Sequence, residues 1–152
     1  MGDALNAEIA LGTVSNVTEA VQWIGYTYLF VRMRRNPRFH GISYDEIIDD
    51  PQLGSKRREL VENKAGRLAE ARMIIFDKQR DAFYITDLGR IAAKFYIRML
   101  TIEIFNEFFK PKMSEADVLH MVCKSIEVTF VYSLYISTAS ITVTSVRANS
   151  VA

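Results

Sequence analysis

Two short runs of strand-forming residues, Met73-Ile74-Ile75-Phe76 and Phe83-Tyr84-Ile85, flank the polar stretch from Asp77 to Asp81. β-Branched and aromatic residues on either side of a polar segment read as two strands joined by a turn. The sequence before this hairpin reads as helices and turns. A fold that is mainly α with a small β-hairpin is therefore expected, and 152 residues suffice for one ordinary domain or a small domain plus a fragment.

The helices are marked by their ends. Ala4 to Leu11 reads as a short helix closed by Gly12, which can take the left-handed conformation at a helix end. Asn16-Val17-Thr18-Glu19 has capping-box spacing, a short polar side chain followed three residues on by Glu. From there Val17, Val21, Ile24, Tyr28 and Val31 recur at helical spacing, while Trp23, Tyr26, Leu29 and Phe30 make the other sides apolar. A helix apolar all round is buried or spans a membrane. The uncharged run stops at Arg32, short of the roughly 20 residues a span needs, so one continuous core helix is expected, ending at Pro37 and the Arg32, Arg34, Arg35, Arg38 cluster.

Ser43-Tyr44-Asp45-Glu46 repeats the capping-box spacing before Pro51, and a longer helix follows from Ser55 to Arg72. Helices leading into a hairpin are the order of a winged helix, the hairpin being the wing. After the hairpin, Asp87 is placed to cap a helix whose stripe is Leu88, Ile91, Ala92, Phe95 and Met99. That pattern breaks near Thr101 and resumes through Ile102, Phe105 and Phe109 until Pro111. Ser114 then caps a helix carrying Val118, Met121 and Val122.

Winged helices often bind DNA through a recognition helix, here the one from Ser55 to Arg72. On a 3.6-residue wheel, Leu60, Val61, Ala65, Leu68 and Ala71 form the buried side, with Glu59, Glu62, Asn63 and Glu70 opposite. Outward carboxylates repel phosphate, which argues against major-groove readout by this helix. Arg57, Lys64 and Arg67 lie on or beside the apolar face, a placement suited to a neighbouring domain with packed stems and paired charges. Candidate nucleic-acid contacts are Arg32, Arg34, Arg35, Lys78 and Arg80, although charge runs of this kind are more often solvated surface. With 19 basic and 18 acidic residues, only such local patches could attract a polyanion.

Several chemistries are missing. No Gly-x-x-x-x-Gly-Lys phosphate loop and no DExH box occurs in the sequence, which argues against ATP hydrolysis by this chain. His120 and Cys123 have metal-ligand spacing, but one further histidine and no second cysteine do not complete a zinc set, so no metal site is expected. One cysteine also excludes an internal disulfide. The first residues lack the basic flank and apolar core of a signal peptide.

The segment Leu5-Asn6-Ala7-Glu8-Ile9-Ala10-Leu11-Gly12-Thr13-Val14, with Trp23-Ile24-Gly25-Tyr26-Thr27-Tyr28-Leu29-Phe30-Val31-Arg32, resembles the region behind the second motor domain of Ski-type DExH-box helicases, in their cointegrator-type and spliceosomal branches. Thr86-Asp87-Leu88-Gly89-Arg90-Ile91-Ala92 and Phe105-Asn106-Glu107 look like the same family's passage into its Sec-type helical domain. The resemblance implies a winged-helix domain over 1–99 and the start of a truncated Sec-type domain over 100–126. It fails after Lys124, and 127–152 is a divergent apolar tail rich in Ser and Thr. The tail reads as an altered end, such as a retained intron or frameshift. Its length approaches a membrane span, but the Ser and Thr content argues against one. Ile141-Thr142-Val143-Thr144 also suits a strand.

The resemblance implies a module of a 3′-to-5′ helicase of nucleus and cytosol, with the ATP and Mg used by the full-length family and no cofactor in this chain. It implies a winged helix that holds the motor against the ratchet helix, with Lys64, Arg67 and Arg90 at interdomain contacts and Trp23, Tyr26 and Tyr28 on packed surfaces. The implied partners are helicase motor and ratchet domains, with RNA or DNA as candidates and no membrane. The alternatives are a stand-alone winged-helix nucleic-acid-binding protein and an inactive truncated isoform.

Overall fold

The computed structural model describes residues 1–128; the strand and span readings of the tail, from 129 on, lie outside them. The described residues form two compact units, Met1–Tyr96 and a second beginning at Ile97.

In the first unit, helix α1 (Gly2–Leu11) ends as its sequence predicts. Gly12 takes a left-handed φ of 79°, its N–H donates to the Ile9 carbonyl, and the Thr13 N–H reaches back to Glu8. Helix α2 (Val17–Gly25) is capped by Asn16, whose side chain accepts from the Glu19 N–H. The reciprocal arm of the box slips by one residue, because the Glu19 carboxylate takes the Ser15 N–H and hydroxyl instead. Those two bonds hold the Glu19 carboxyl below the usual carboxylate range.

The expected continuous helix from Val17 to Val31 does not form. It breaks at Gly25–Thr27, where the Thr27 hydroxyl donates to the Ile24 carbonyl and Thr27 turns extended to start α3 (Tyr28–Arg35). The two halves therefore bury different faces. Val17, Ala20 and Ile24 of α2 and Phe30 and Met33 of α3 enter the core, while Tyr26 is 93% and Tyr28 74% exposed. The all-round apolar pattern is two amphipathic faces read as one.

A 3-10 turn over Pro37–His40 leads to α4 (Tyr44–Asp49), which has a complete Ser43–Glu46 capping box. Helix α5 (Gly54–Glu70) buries Val61, Ala65 and Leu68 against α1 and α2. It ends without glycine. Arg72 takes the left-handed position (φ 60°), and Met73 N–H bonds back to Leu68. Strands β1 (Ile74–Asp77) and β2 (Ala82–Ile85) pair antiparallel, Ile74 with Ile85 and Phe76 with Phe83. The loop before α2 adds to β2, through an Asn16–Ala82 bridge, the Phe83 N–H to the Ser15 carbonyl, and the Val17 N–H to the Asp81 carbonyl.

Helix α6 (Asp87–Lys94) is capped by Thr86 and not by Asp87. The Thr86 hydroxyl is the group that accepts from the Gly89 N–H, while it also donates toward the Arg72 and Met73 carbonyls. The predicted stripe is also narrower. Gly89 and Ala92 are buried, but Ile91 and Phe95 are exposed, because α6 approaches α1 through its smallest residues. A Cβ on Gly89 would overlap the Met73 carbonyl oxygen and lie 2.7 Å from Ile85 Cδ1. In that contact the buried Asn6 side chain donates to the Gly89 carbonyl at 2.9 Å.

In the second unit the helical break falls before Met99 rather than near Thr101. Helix α7 (Met99–Phe108) starts after Arg98, so Met99, Thr101 and Ile102 share its buried face. It packs with α8 (Glu115–Cys123), whose Ser114–Asp117 capping box is complete and lowers the Asp117 carboxyl through Ser114 hydrogen bonds. Glu127 returns to the start of α7, accepting from the Arg98 N–H at 2.9 Å and from the Thr101 hydroxyl. Among the described residues no helix is long and apolar enough to cross a membrane.

Gly89→Ala is expected to lower unfolding free energy by at least about 2 kcal/mol, since overpacking against backbone cannot relax by a rotamer change. Urea unfolding would show this as a lower midpoint at unchanged slope. Burial raises the Glu127 carboxyl, but its bonds to Thr101 and the Arg98 N–H outweigh this and leave it below its usual 4.5. Its contribution is thus present above 4.5 and lost as pH falls through the lower folded value. The Arg98 amide resonance should titrate below pH 4.5, and Glu127→Gln should flatten that titration.

Candidate functional site

A winged helix offers one obvious groove, between its third long helix and its hairpin. Here it is an open cleft of about 660 Å³ between α5 and the wing. Its walls carry four carboxylates, Glu59, Glu62, Glu70 and Asp81, against Arg58, Arg67 and Lys78. Arg58 is committed, donating to Glu62 at 2.7 Å and Asp81 at 2.6 Å, which raises its pKa further. At the wing tip, Asp77 accepts the Gln79 and Arg80 N–H groups, and its other oxygen lies 3.9 Å from the Arg80 guanidinium. The groove therefore neutralises itself. Phosphate approaching it would meet carboxylates first.

Of the residues singled out for interdomain contact, Lys64 is half-buried along α5, Arg67 is exposed on the groove wall, and Arg90 is exposed with Asp87 at 3.9 Å. Arg57, from the same side of α5, is spent inside the unit. Its guanidinium donates to the Val21 carbonyl at 2.9 Å and lies 5.0 Å from the Phe30 ring centroid. Gly25 makes room for it, since a Cβ there would stand 2.8 Å from Arg57 Nη1. Arg57 thus links α5 to the break between α2 and α3. The wheel placed it on the right face, but only the helix break reveals its partner.

The candidate nucleic-acid contacts do not form one patch. Lys78 lines the α5 groove, whereas Arg32 and Arg35 line a separate pocket with Arg38, Phe39, His40 and Tyr44. Arg34 lies over the Phe30 ring at 5.7 Å, and Arg38 lies over Tyr44 at 5.1 Å. The aromatic part of this pocket was not singled out from sequence, though Arg38-Phe39-His40 carries the signal, a ring inside a basic run. In the second unit, Cys123 is free and exposed, as is His120 on the same helix. Among the described residues no group of three or more His, Cys, Asp or Glu side chains could hold a metal ion.

Residues 1–73 match the Winged Helix-turn-helix domain family, and residues 85–132 match the Sec63 Brl domain family. The second match begins at Ile85, so it takes in α6, which packs on α1 within the first unit. The chain is 50% identical over 125 residues to the RQC trigger complex helicase SLH1 of Saccharomyces cerevisiae, covering 82% of this chain and 6% of that protein. It is 54% identical over 127 residues to the activating signal cointegrator 1 complex subunit 3 of Danio rerio, covering 84% and 8%. The DExH-box ATP-dependent RNA helicase DExH14 of Arabidopsis thaliana is 49% identical over 125 residues, covering 82% and 6%. The chain thus spans less than a tenth of the length of these relatives.

Because Arg57 is packed and hydrogen-bonded while Arg58 is half-exposed, their replacement by Met should separate. Arg57→Met is expected to cost about 1–3 kcal/mol, and Arg58→Met less than about 1 kcal/mol. Chemical denaturation of the two variants checks this.

Proposed function

This chain is the counterpart of the winged-helix and Sec63 segment of Ski-type DExH-box helicases, a helicase segment, and we propose that it is a non-catalytic one that scaffolds the motor against the ratchet domain. The observation that carries this reading is the self-neutralised groove between α5 and the wing. The surface a DNA-reading winged helix would present to phosphate holds four carboxylates, two of them paired to Arg58. Such a surface suits a protein neighbour, where interspersed charges of both signs set register and partner choice more than raw affinity.

Exposed side chains support the same reading. Tyr26, Tyr28, Ile91 and Phe95 stand in solvent on the first unit, and aromatic residues of this kind are enriched where proteins pack together. Lys64 and Arg67 would carry the interdomain contact from α5, and Arg90 would add to it from α6. ATP and Mg would be bound by the motor segments, since the sequence has no phosphate loop or DExH box of its own. Two of the relatives are, by name, the helicase of an RQC trigger complex and a subunit of the activating signal cointegrator 1 complex. A multisubunit setting of that kind is proposed for this chain through the same contacts.

Calorimetric titration of the chain with the motor segment of the cointegrator-type relative tests the proposal. Association at about micromolar Kd or tighter is expected, weakened at least about tenfold by Lys64→Glu with Arg67→Glu. A folded chain that does not bind the motor, or one that hydrolyses ATP alone, would overturn the reading.

A further inference from the structure

Four arginines stand exposed within seven residues at the end of α3 and the following turn, Arg32, Arg34, Arg35 and Arg38. Several other cations of the first unit have answering carboxylates: Lys56 has Glu59, Arg58 has Glu62 and Asp81, Arg80 has Asp77 and Arg90 has Asp87. Among the described residues, no carboxylate pairs with any of these four. Three of them, Arg32, Arg35 and Arg38, line a concave pocket of about 520 Å³ with Phe39, His40 and Tyr44, and no carboxylate lines it. Like charges gathered without compensation repel one another, so the arrangement is most favourable when an anion occupies it.

The rings decide which anion. Phe39 is 77% exposed, its ring nearly perpendicular to that of His40 with centroids 5.4 Å apart, so most of the ring faces solvent. The Tyr44 ring is overlaid by Arg38 and positions that guanidinium at the rim. The His40 Nε2 atom is buried without a hydrogen-bond partner, a polar group left over at the same pocket. An acidic peptide would use the arginines but gain little from an open phenyl face. A nucleotide uses both, its phosphates on planar guanidinium forks and its base stacked on the ring. A duplex cannot supply an unstacked base to a pocket of this size, whereas a single strand can.

We propose that this pocket is a binding site for single-stranded nucleic acid, with Arg32, Arg35 and Arg38 holding backbone phosphates and Phe39 stacking a base. The site lies apart from the α5 groove, and it goes beyond the scaffold reading: motor binding and oligonucleotide binding are separate measurements, and either can fail alone.

The test is fluorescence anisotropy of labelled RNA and DNA single strands of about 12 nucleotides, titrated with the full chain between about 50 and 200 mM salt. Circular dichroism of each variant secures that it is folded. Three phosphate contacts predict a log–log salt slope of about −2, reduced to under about −1 by Arg32→Gln with Arg35→Gln. Phe39→Ala should weaken binding at least about fivefold at every salt concentration, and Phe39→Trp should restore it. Lys110→Gln with Lys112→Gln, which removes two exposed cations elsewhere, should change the slope little. No binding by the folded chain would overturn the proposal. So would loss of binding on replacing Lys78 and Arg80 while the pocket variants bind normally. Displacement by polyglutamate at matched charge, with Phe39→Ala neutral, would overturn it in favour of an acidic protein partner.

Discussion

Gly89 lets α6 come so close to the end of α5 that no side chain fits between its Cα and the Met73 carbonyl, and the first unit is assembled around that approach. Asn6 sits in the same contact, its amide bonded to the Gly89 carbonyl beneath the surface. Thr86 closes the ring, capping α6 through Gly89 and bonding the Arg72 and Met73 carbonyls. One glycine, one asparagine and one threonine thus bring together α1, the end of α5 and the start of α6. Removing the Asn6 amide would delete this buried bond, at about 0.5–1.5 kcal/mol, which matters against the small margin of a unit of this size.

The features legible in the sequence are those whose causes are local. Capping boxes at Ser43 and Ser114, the Gly12 stop, the buried face of α5 and the two strands of the hairpin each rest on residues within a few positions of one another. The misread features have their causes elsewhere in the chain. Beside the break after Gly25 sits Arg57, thirty-odd residues away, in the space a side chain would need. The narrow stripe of α6 depends on Asn6 and Met73. The addition of Ser15–Asn16 to β2 has no periodicity to announce it, because it involves single residues rather than a run. Of the candidate nucleic-acid cations, Lys78 of the wing and Arg32 and Arg35 of α3 lie on two separate surfaces, a division that linear sequence does not carry.

Charge in the first unit follows two rules. Around α5 and the wing, Lys56, Arg58 and Arg80 are matched by carboxylates about one turn away or across the groove, and attraction there is short-ranged. At the end of α3 the cations are left without carboxylates and set among aromatic rings. A nearly neutral composition conceals this division. The two surfaces lie on helices joined through Arg57.

The Asn6–Gly89 bond also ties α1, the first helix of the unit, to α6, its last, across more than eighty residues. The same closure makes folding wait. Helix α1 can rest on α5 and β2 earlier, but its buried bond to Gly89 cannot form until α6, more than eighty residues later, has been synthesised.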